Sequence, residues 1–412
     1  LFGKEKLETE KDLLALYVKI HKEMEKNPDL EPLAKDLVLK MENGDKKTLK
    51  ELSVVRALSI KPFDRNYKVL DINFTEQVFD SDYVEEGRSI VEEAISSKIA
   101  FQDKTGETVA NLEQFNLPNL VILRSNGTTL YSTRDLGLAS RDFKKYKFDM
   151  RVYVTASEQN LHFQQAFAIL KALQKPFADK LKHIGFGIIS LEEGKLSTRE
   201  GRVLLLEDVI NDSISLALNE VKQRQAYTDK EALDIATKVG IAALKYSILK
   251  ISFEKDIKFS LREAVKFDGN TAAYLQYTAV RAKNIQKKAQ DEKPNNALAK
   301  NDAAMAAVVA ALAATAFSSK SYSFTFEERK LVLMLSEFPS VCAHAAKSLT
   351  PNILCEYLFK LALSFSAFYD KSAVLKAETS KAKSIRLEIV SSLELVMING
   401  LNLLGISVPE KM

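Results

Sequence analysis

The order of apolar patterns along the chain constrains the fold more than any other feature. Residues 119 to about 210 alternate short apolar runs with stretches of helical period; the runs are VILR (121–124), MRVYVTA (150–156) and HIGFGIIS (183–190). From about residue 213 onward, apolar residues recur almost only at helical spacing. This order predicts an α/β part followed by an all-α part. The first would be a doubly wound parallel sheet that binds ligands beyond the carboxyl ends of its strands, and the second a bundle of helices.

The residues before this sheet show a different pattern. Residues 1 to about 60 are charged and have helical period, whereas KVLDINFTEQVF (68–79) alternates and predicts a strand. Two short runs on either side of the turn at 105–106 predict a hairpin over 100–110. We interpret residues 1–118 as an insertion module with the remainder of the first domain, 119–212 as the sheet, and 213–412 as the helical domain.

Composition narrows the possible functions only slightly. The 412 residues are 46% hydrophobic, which allows two or three domains with real cores. The net charge of +4 is too small to argue for nucleic acid by itself. Two cysteines and four histidines without metal-ligand spacing predict no metal site and no disulfide framework. No apolar run is long enough to span a membrane, so no membrane partner is expected. Because the chain begins with Leu1, we expect it to be a piece of a longer protein.

The segment VILRSNGTTLYSTRDLGLA (121–139) carries the first chemical signal. An apolar strand, of the kind buried in a parallel sheet, ends at a Ser-Asn-Gly turn, and a helix follows over 128–145. Tyr131 and Asp135 lie four residues apart and therefore share one helix face. A phenol and a carboxylate there form a clamp for a planar cation such as guanidinium. The alternative is a surface aspartate that is favoured near a helix N-terminus.

GTTLYSTRDLGLA resembles the arginine-binding segment of arginyl-tRNA synthetases, a class I family. Ser157 to His162 follows the next strand, where this family carries a Gln and a His. The resemblance implies that Gln159 joins Tyr131 and Asp135 around the substrate arginine, and that His162 lies towards ATP. From the residues alone, an ordinary strand-to-helix loop with Ser157 as its cap is the better explanation of this segment.

KLSTREG (195–201) is similar to the family's version of the class I KMSKS loop. The resemblance implies that Lys195, Ser197 and Arg199 are catalytic, closing over the phosphates as pyrophosphate leaves. It also assigns Gly187 to the ATP site together with His162 and Lys195. Glu200 removes a positive charge from the family pattern, and a basic loop can also be a solvated turn.

HIGF (183–186) looks like the class I HIGH motif but lies after the arginine-binding segment, whereas the true motif precedes it. We interpret HIGF as a core strand near adenine. No HIGH-like sequence occurs in residues 1–120. We therefore expect the chain to lack the first half of the catalytic domain and to be inactive alone.

FDGNTAAYLQYTAVR (267–281) closely resembles the family's tRNA-contacting FEGNTxxYLQYAxxR element, and the sequence up to Met412 resembles its helical anticodon-binding domain. The resemblance implies tRNA contacts by residues of both segments: Gly269, Asn270, Thr271, Tyr274, Tyr277, Arg281 and Met412. An aromatic stripe of this kind can also be core.

The chain is identified as a member of the arginyl-tRNA synthetase family, with a Rossmann-type catalytic domain and a helical-bundle anticodon-binding domain. The resemblance implies ATP-dependent activation of L-arginine, with Mg²⁺ accompanying ATP, and transfer to tRNA(Arg). We expect a cytoplasmic monomer. Two alternatives are an inactive fragment or paralogue that binds tRNA, and a scaffold that docks in a multisynthetase assembly through its Ala-rich helix at 297–317.

Overall fold

The computed structural model describes residues 7–191, 205–224, 227–292 and 322–412. The chain divides into two compact units, which we call unit 1 (Leu1–Gly187) and unit 2 (Ile188–Met412).

Unit 1 begins with three helices, as the charged helical pattern predicts: α1 (Glu10–Lys26), α2 (Leu30–Glu42) and α3 (Lys46–Val69). The strand predicted over 68–79 is wrong. Helix α3 extends to Val69, and Asp71 then adopts a left-handed conformation, with φ 50°, that ends the regular structure. Phe74 packs edge-on against Tyr67 of α3, with ring centroids 4.8 Å apart, instead of joining a sheet.

A small antiparallel sheet follows helix α4 (Val84–Ser96). Strands β1 (Ala100–Gln102) and β2 (Thr108–Ala110) form the predicted hairpin. Strand β3 (Leu120–Leu123) pairs antiparallel with β2, so the prediction of a parallel sheet around VILR is wrong. The connection between β2 and β3 is too short for the crossover that a parallel pairing requires.

The predicted parallel unit is present in the second half of unit 1. It consists of α5 (Tyr131–Tyr146), β4 (Arg151–Ala156), α6 (Asn160–Ala172) and β5 (Leu181–Phe186). Strands β4 and β5 pair in parallel from Arg151↔Leu181 to Ala156↔Phe186. One apolar core joins these elements to α4 and the small sheet, and its fully buried members include Ile122, Leu136, Ile169 and Leu170.

Two glycines bring α4 and α5 into close contact. A Cβ atom on Gly137 would lie 2.5 Å from the backbone nitrogen of Gly87, and a Cβ on Gly87 would lie 2.5 Å from the carbonyl oxygen of Thr133. Real Cβ contacts are not this short, so any larger residue would push the helices apart. The position of α5 is therefore fixed at its first two turns.

Unit 2 is mainly helical, as predicted. Strands β6 (Ile189–Leu191) and β7 (Ile257–Phe259) form a short parallel pair. The helices are α7 (Leu206–Arg224), α8 (Asp229–Leu249), α9 (Leu261–Ala264), α10 (Ala272–Glu292), α11 (Phe326–Ser348), α12 (Asn352–Lys371) and α13 (Ser380–Leu403).

Helix α11 continues through Pro339, where the sequence predicts a kink or a break. Leu331, Leu335 and Phe338 on its apolar side are buried in the bundle core, and this burial outweighs the hydrogen bond that proline removes. Both cysteines are free thiols, Cys355 buried and Cys342 half-buried. Among the helices that the structure describes, none is long and apolar enough to cross a membrane.

Candidate active site

The carboxylate of Asp135 and the ring of Tyr131 both contact His162. His162 Nε2 lies 2.7 Å from Asp135 Oδ2, at hydrogen-bond distance. The Tyr131 ring meets the His162 ring edge-on, with centroids 4.7 Å apart. Tyr131 is the first residue of α5, and 60% of its surface is exposed. Tyr131 and Asp135 therefore share one side of the first turn of α5, as their spacing predicts.

The residues between Tyr131 and Asp135 tie the helix to the sheet. Ser132 and Thr133 are buried, and their hydroxyls donate to the carbonyl oxygens of Val121, at 3.1 Å, and Ile122 in β3. Thr133 Oγ1 also accepts a hydrogen bond from the backbone N–H of Leu130 at 3.0 Å. Small hydroxyl residues at the start of a helix satisfy backbone groups in this way. The same bonds hold α5 with Tyr131 exposed.

His162 is supported from the side opposite Tyr131. It lies in the first turn of α6, and its ring contacts Phe163, which stacks on His183 of β5 with centroids 4.4 Å apart. His183 Nε2 lies 2.8 Å from Thr155 Oγ1 in β4. Burial, with a smaller contribution from His162, lowers the pKa of His183. The Nδ1 atom of His162 is buried and has no hydrogen-bond partner among the described residues.

The HIGF segment is part of strand β5, as expected, but it is not a core strand, because His183, Ile184 and Gly185 are half-buried and Phe186 is 38% exposed. Its glycine has a packing reason, because a Cβ atom on Gly185 would lie 2.2 Å from Asn160 Oδ1 and 2.9 Å from the Cα atom of Ser157. The strand therefore needs glycine at 185 to approach the start of α6. Gly187 follows the strand and is buried.

Gln159 lies in the turn Ser157–Gln159, directly after the carboxyl end of β4, and its side chain is exposed. The predicted catalytic residues Lys195, Ser197 and Arg199 lie outside the described residues, as does the Ala-rich segment 297–317. Within the described ranges, no group of three or more His, Cys, Asp or Glu side chains gathers as a metal site would require.

A second layer of charged residues lies next to the start of α5, and the sequence analysis missed it. Glu42, the last residue of α2, accepts hydrogen bonds from Thr129, Arg134 and Arg88. Only Arg134 and Thr129 lie inside the motif, and Glu42 is 87 positions away from Thr129. No spacing rule links residues so far apart. The one available signal was the otherwise unexplained arginine directly before Asp135.

In unit 2 the predicted tRNA-contacting loop forms the start of α10. Gly269 has a positive φ of 71°, a conformation that favours glycine. The Asn270 Oδ1 atom accepts a hydrogen bond from Tyr246 at 2.7 Å, and Thr271 Oγ1 accepts one from the backbone N–H of Tyr274 at 3.3 Å. The polar groups of these loop residues therefore make contacts inside unit 2.

The aromatic residues of α10 differ in exposure. Tyr274 packs against the bundle core and meets Phe359 edge-on, whereas Tyr277 is 37% exposed. The guanidinium of Arg281 lies over the Tyr369 ring, 3.9 Å from its centroid. At the end of the chain, Met412 packs against a separate apolar cluster formed mainly by α7 and α8.

Comparison with protein families identifies both parts of the chain. Residues 3–261 match the model "tRNA synthetases class I (R), catalytic domain", and residues 275–412 match the "DALR anticodon binding domain". An arginine–tRNA ligase of Clostridium perfringens is 33% identical over 401 residues, which are 97% of this chain and 67% of that protein. One of Clostridium botulinum is 35% identical over 401 residues, with the same coverage.

The chain belongs to the arginyl-tRNA synthetase family. The predicted family, and with it the predicted enzyme class of arginine–tRNA ligase, is confirmed. Each of the two curated relatives extends beyond the matched part, because the chain spans 67% of its length.

Solved structures agree on the fold. The arginyl-tRNA synthetase of Thermus thermophilus superimposes with a TM-score of 0.78 at 23% identity, covering all of this chain and 72% of that one. The enzyme of Plasmodium falciparum gives a TM-score of 0.76 at 22% identity, covering 97% of this chain and 64% of that one. The predicted order of a class I catalytic domain followed by a helical anticodon-binding domain is confirmed.

Proposed function

We propose that Tyr131, Asp135 and Gln159 form the pocket for the guanidinium of L-arginine in the ligase reaction of this family. The observation that carries the proposal is the Asp135 carboxylate, which already holds a nitrogen donor, His162 Nε2, at 2.7 Å. A substrate guanidinium presents N–H donors in a planar fork and would satisfy the same oxygen atoms with two parallel bonds.

The proposal gives each side chain a separate task. Asp135 supplies the counter-charge, and Tyr131 offers an exposed ring edge and a hydroxyl beside it. Gln159 can both donate and accept hydrogen bonds, which suits the polar groups of the substrate arginine. His162 would share Asp135 with the incoming guanidinium, so it acts next to arginine, and any contact of this residue with ATP would come from the buried Nδ1 side.

ATP is proposed as the second substrate, and Gly187, Lys195, Ser197 and Arg199 are the residues that the family resemblance assigns to it. The positive charges of Lys195 and Arg199 would neutralise the phosphates as pyrophosphate leaves. Mg²⁺ would arrive with the nucleotide, because this ion binds largely through phosphate oxygen atoms and water. The residues of this chain would orient the arginine carboxylate and the α-phosphate for direct attack.

We further propose that unit 2 binds tRNA(Arg), through the exposed Tyr277 ring and the basic residues along α10. An exposed aromatic ring next to cations suits stacking of an unpaired base. The position of Met412 on the helical unit makes the chain terminus a second candidate contact. A monomer in the cytoplasm remains our expectation for the protein.

The test is arginine-dependent ATP–pyrophosphate exchange by the native protein, with tRNA(Arg) present and absent. We expect exchange with L-arginine and none with citrulline, a neutral isostere that cannot form an ion pair with a carboxylate. Equal exchange with citrulline would exclude Asp135 as the recognition group. The matched variants Asp135→Asn and Asp179→Asn compare this carboxylate with an exposed one that pairs with Lys171.

A further inference from the structure

A buried carboxylate holds the start of α5 from the side away from the β3 strand. The side chain of Glu42 is only 5% exposed. It accepts a hydrogen bond from the Thr129 hydroxyl at 2.6 Å, and the backbone N–H of Thr129 lies 3.1 Å from both of its oxygen atoms. Arg88 of α4 donates to Oε2 at 2.9 Å, and Arg134 of α5 donates to Oε1 at 3.1 Å. Three segments distant in sequence therefore meet at one carboxylate.

Glu42 is ionised in this environment. Burial by itself would raise its pKa, but the hydrogen bonds from Thr129 and Arg134 outweigh burial and lower the pKa. A buried carboxylate with two guanidinium partners and a backbone donor has little freedom to move, because each displacement would leave a charge without a partner.

These contacts lie directly on both sides of Tyr131. Thr129 stands two residues before Tyr131, and Arg134 stands immediately before Asp135. Arg134 Nε also donates to Thr129 Oγ1 at 3.0 Å, and Arg124 donates to the Thr129 carbonyl oxygen at 3.0 Å. The backbone that enters α5 and the first turn of the helix are therefore joined to each other and to Glu42.

We propose that Glu42 is a positioning residue for arginine recognition. Its carboxylate fixes the main chain on both sides of Tyr131, and through it the separation of Tyr131 and Asp135. The inference rests on the proposed function, since it assumes that these two residues bind the substrate. A positioning role predicts a selective loss of arginine binding. A recognition site displaced by a fraction of an ångström weakens the binding of its own substrate and leaves the binding of the others unaffected.

A purely structural ion pair would behave differently. Its loss would lower stability and reduce the apparent kcat through the fraction of folded protein, while every KM stayed unchanged. The variant Glu42→Gln separates the two roles, because glutamine keeps the shape and one acceptor but loses the charge for Arg88 and Arg134. Glu93→Gln is the matched control, since Glu93 pairs with Lys175 at 2.6 Å in the same unit.

We expect Glu42→Gln in the native protein to raise the KM for arginine about tenfold or more in aminoacylation. The KM values for ATP and tRNA should stay within about twofold, as should every constant of Glu93→Gln. If Glu42→Gln does not fold, Thr129→Val provides the same test, because valine keeps the volume but removes the hydroxyl that binds Glu42. We expect it to raise the arginine KM about threefold, in the same selective manner.

Two results would overturn the inference. One is an unchanged arginine KM in folded Glu42→Gln or Thr129→Val while Asp135→Asn loses arginine binding, which would leave the pocket in place without a role for Glu42. The other is an equal rise in the KM values of all three substrates, which would mean that Glu42 shapes the whole active site and does not position the arginine-binding residues in particular. An unchanged arginine KM in Asp135→Asn itself would refute the proposed pocket, and the inference with it.

Discussion

Both units bury a glutamate against arginine, but the two networks lead to different parts of the molecule. In unit 1, Glu42 is 5% exposed and contacts Arg88, Arg134 and the backbone that enters α5. In unit 2, Glu328 of α11 is 0% exposed and accepts a bond from Arg386 Nε at 2.7 Å. The first network ends at Tyr131 and Asp135 of the proposed pocket, whereas the second joins segments of the helical bundle and reaches solvent at Glu378.

The partners of Arg386 show that the second network joins several segments of one bundle. Besides Glu328, the guanidinium donates to both carboxylate oxygen atoms of Glu378 and to the carbonyl oxygen of Ala373, each at 2.9 Å. Glu328 also accepts bonds from the Tyr322 hydroxyl and from the backbone N–H of Thr325, both at 2.9 Å. Each bond joins α11 or α13 to neighbouring segments of the same bundle. The comparison teaches that the same ion-pair chemistry secures a core in unit 2 and, in our proposal, aligns a binding site in unit 1.

The largest expected effect is on the stability of unit 2. Arg386→Met would leave the Glu328 carboxylate buried without its cation and should lower the free energy of unfolding by about 3–5 kcal/mol. Hydrogen exchange of α11 and α13 amides measures this change. The control is Lys360→Met, because Lys360 forms an exposed pair with Glu356 four residues earlier, worth at most about 0.5 kcal/mol. A small loss in Arg386→Met, like that of the control, would contradict the contrast between the units.

The next effect should fall on binding alone. Asp135→Asn should weaken arginine binding by about 2–5 kcal/mol, because a desolvated guanidinium would lose its counter-charge. Its stability should change little, since Asp135 remains partly exposed and His162 can still bond to the asparagine oxygen. Equilibrium binding of arginine with tRNA present, alongside thermal unfolding, checks both statements. A large drop in stability with unchanged arginine binding would give Asp135 a structural role like that of Glu328.

The sequence predicted the elements that obey a local rule. The hairpin at 100–110, the β4–α6–β5 unit and the shared face of Tyr131 and Asp135 all follow from periods of two or 3.6 residues. The strand over 68–79 failed because its alternating residues had no partner strand, and Phe74 instead packs on Tyr67. The prediction that β3 pairs in parallel failed because the direction of pairing depends on the length of the connection to β2. The hydrophobic period within a strand carries no information on that length.

The supporting residues of the site were not predictable in the same way. Glu42 reaches Thr129 only through the packing of α2 against later helices, so a reading by spacing classifies it as the solvated end of a charged helix. The contact of His162 with Asp135 likewise joins two helices that are separate in sequence. The resemblance predicted which residues carry the chemistry, and the tertiary structure shows which residues hold these side chains in place.

A smaller effect tests whether unit 2 also has a binding surface besides the Glu328–Arg386 network. Tyr277→Ala should weaken tRNA(Arg) binding by about 1–3 kcal/mol if a base stacks on the ring, while Tyr277→Phe should bind normally. Both proteins should lose affinity as salt concentration rises, since phosphate contacts contribute separately. Filter binding at several salt concentrations measures this. Equal affinities for the alanine and phenylalanine variants would remove Tyr277 from the interface.

The smallest effect examines how precisely unit 1 aligns its exposed residues. Tyr131→Phe keeps the ring contact with His162 and removes only the hydroxyl, which is worth about 1 kcal/mol if it bonds the substrate. The matched control is Tyr17→Phe on α1, where a ring of similar exposure also contacts a histidine but lies outside the proposed pocket. We expect the arginine KM to rise about fivefold in the first variant and to stay unchanged in the second.

Combining Tyr131→Phe with Glu42→Gln then tests the alignment directly. If Glu42 positions Tyr131, its loss already displaces the hydroxyl, so the double variant should bind arginine little worse than Glu42→Gln alone. Strict additivity of the two free-energy changes would mean that the two residues act independently. The Glu42 network in unit 1 would then have a structural role only, like the Glu328 network in unit 2.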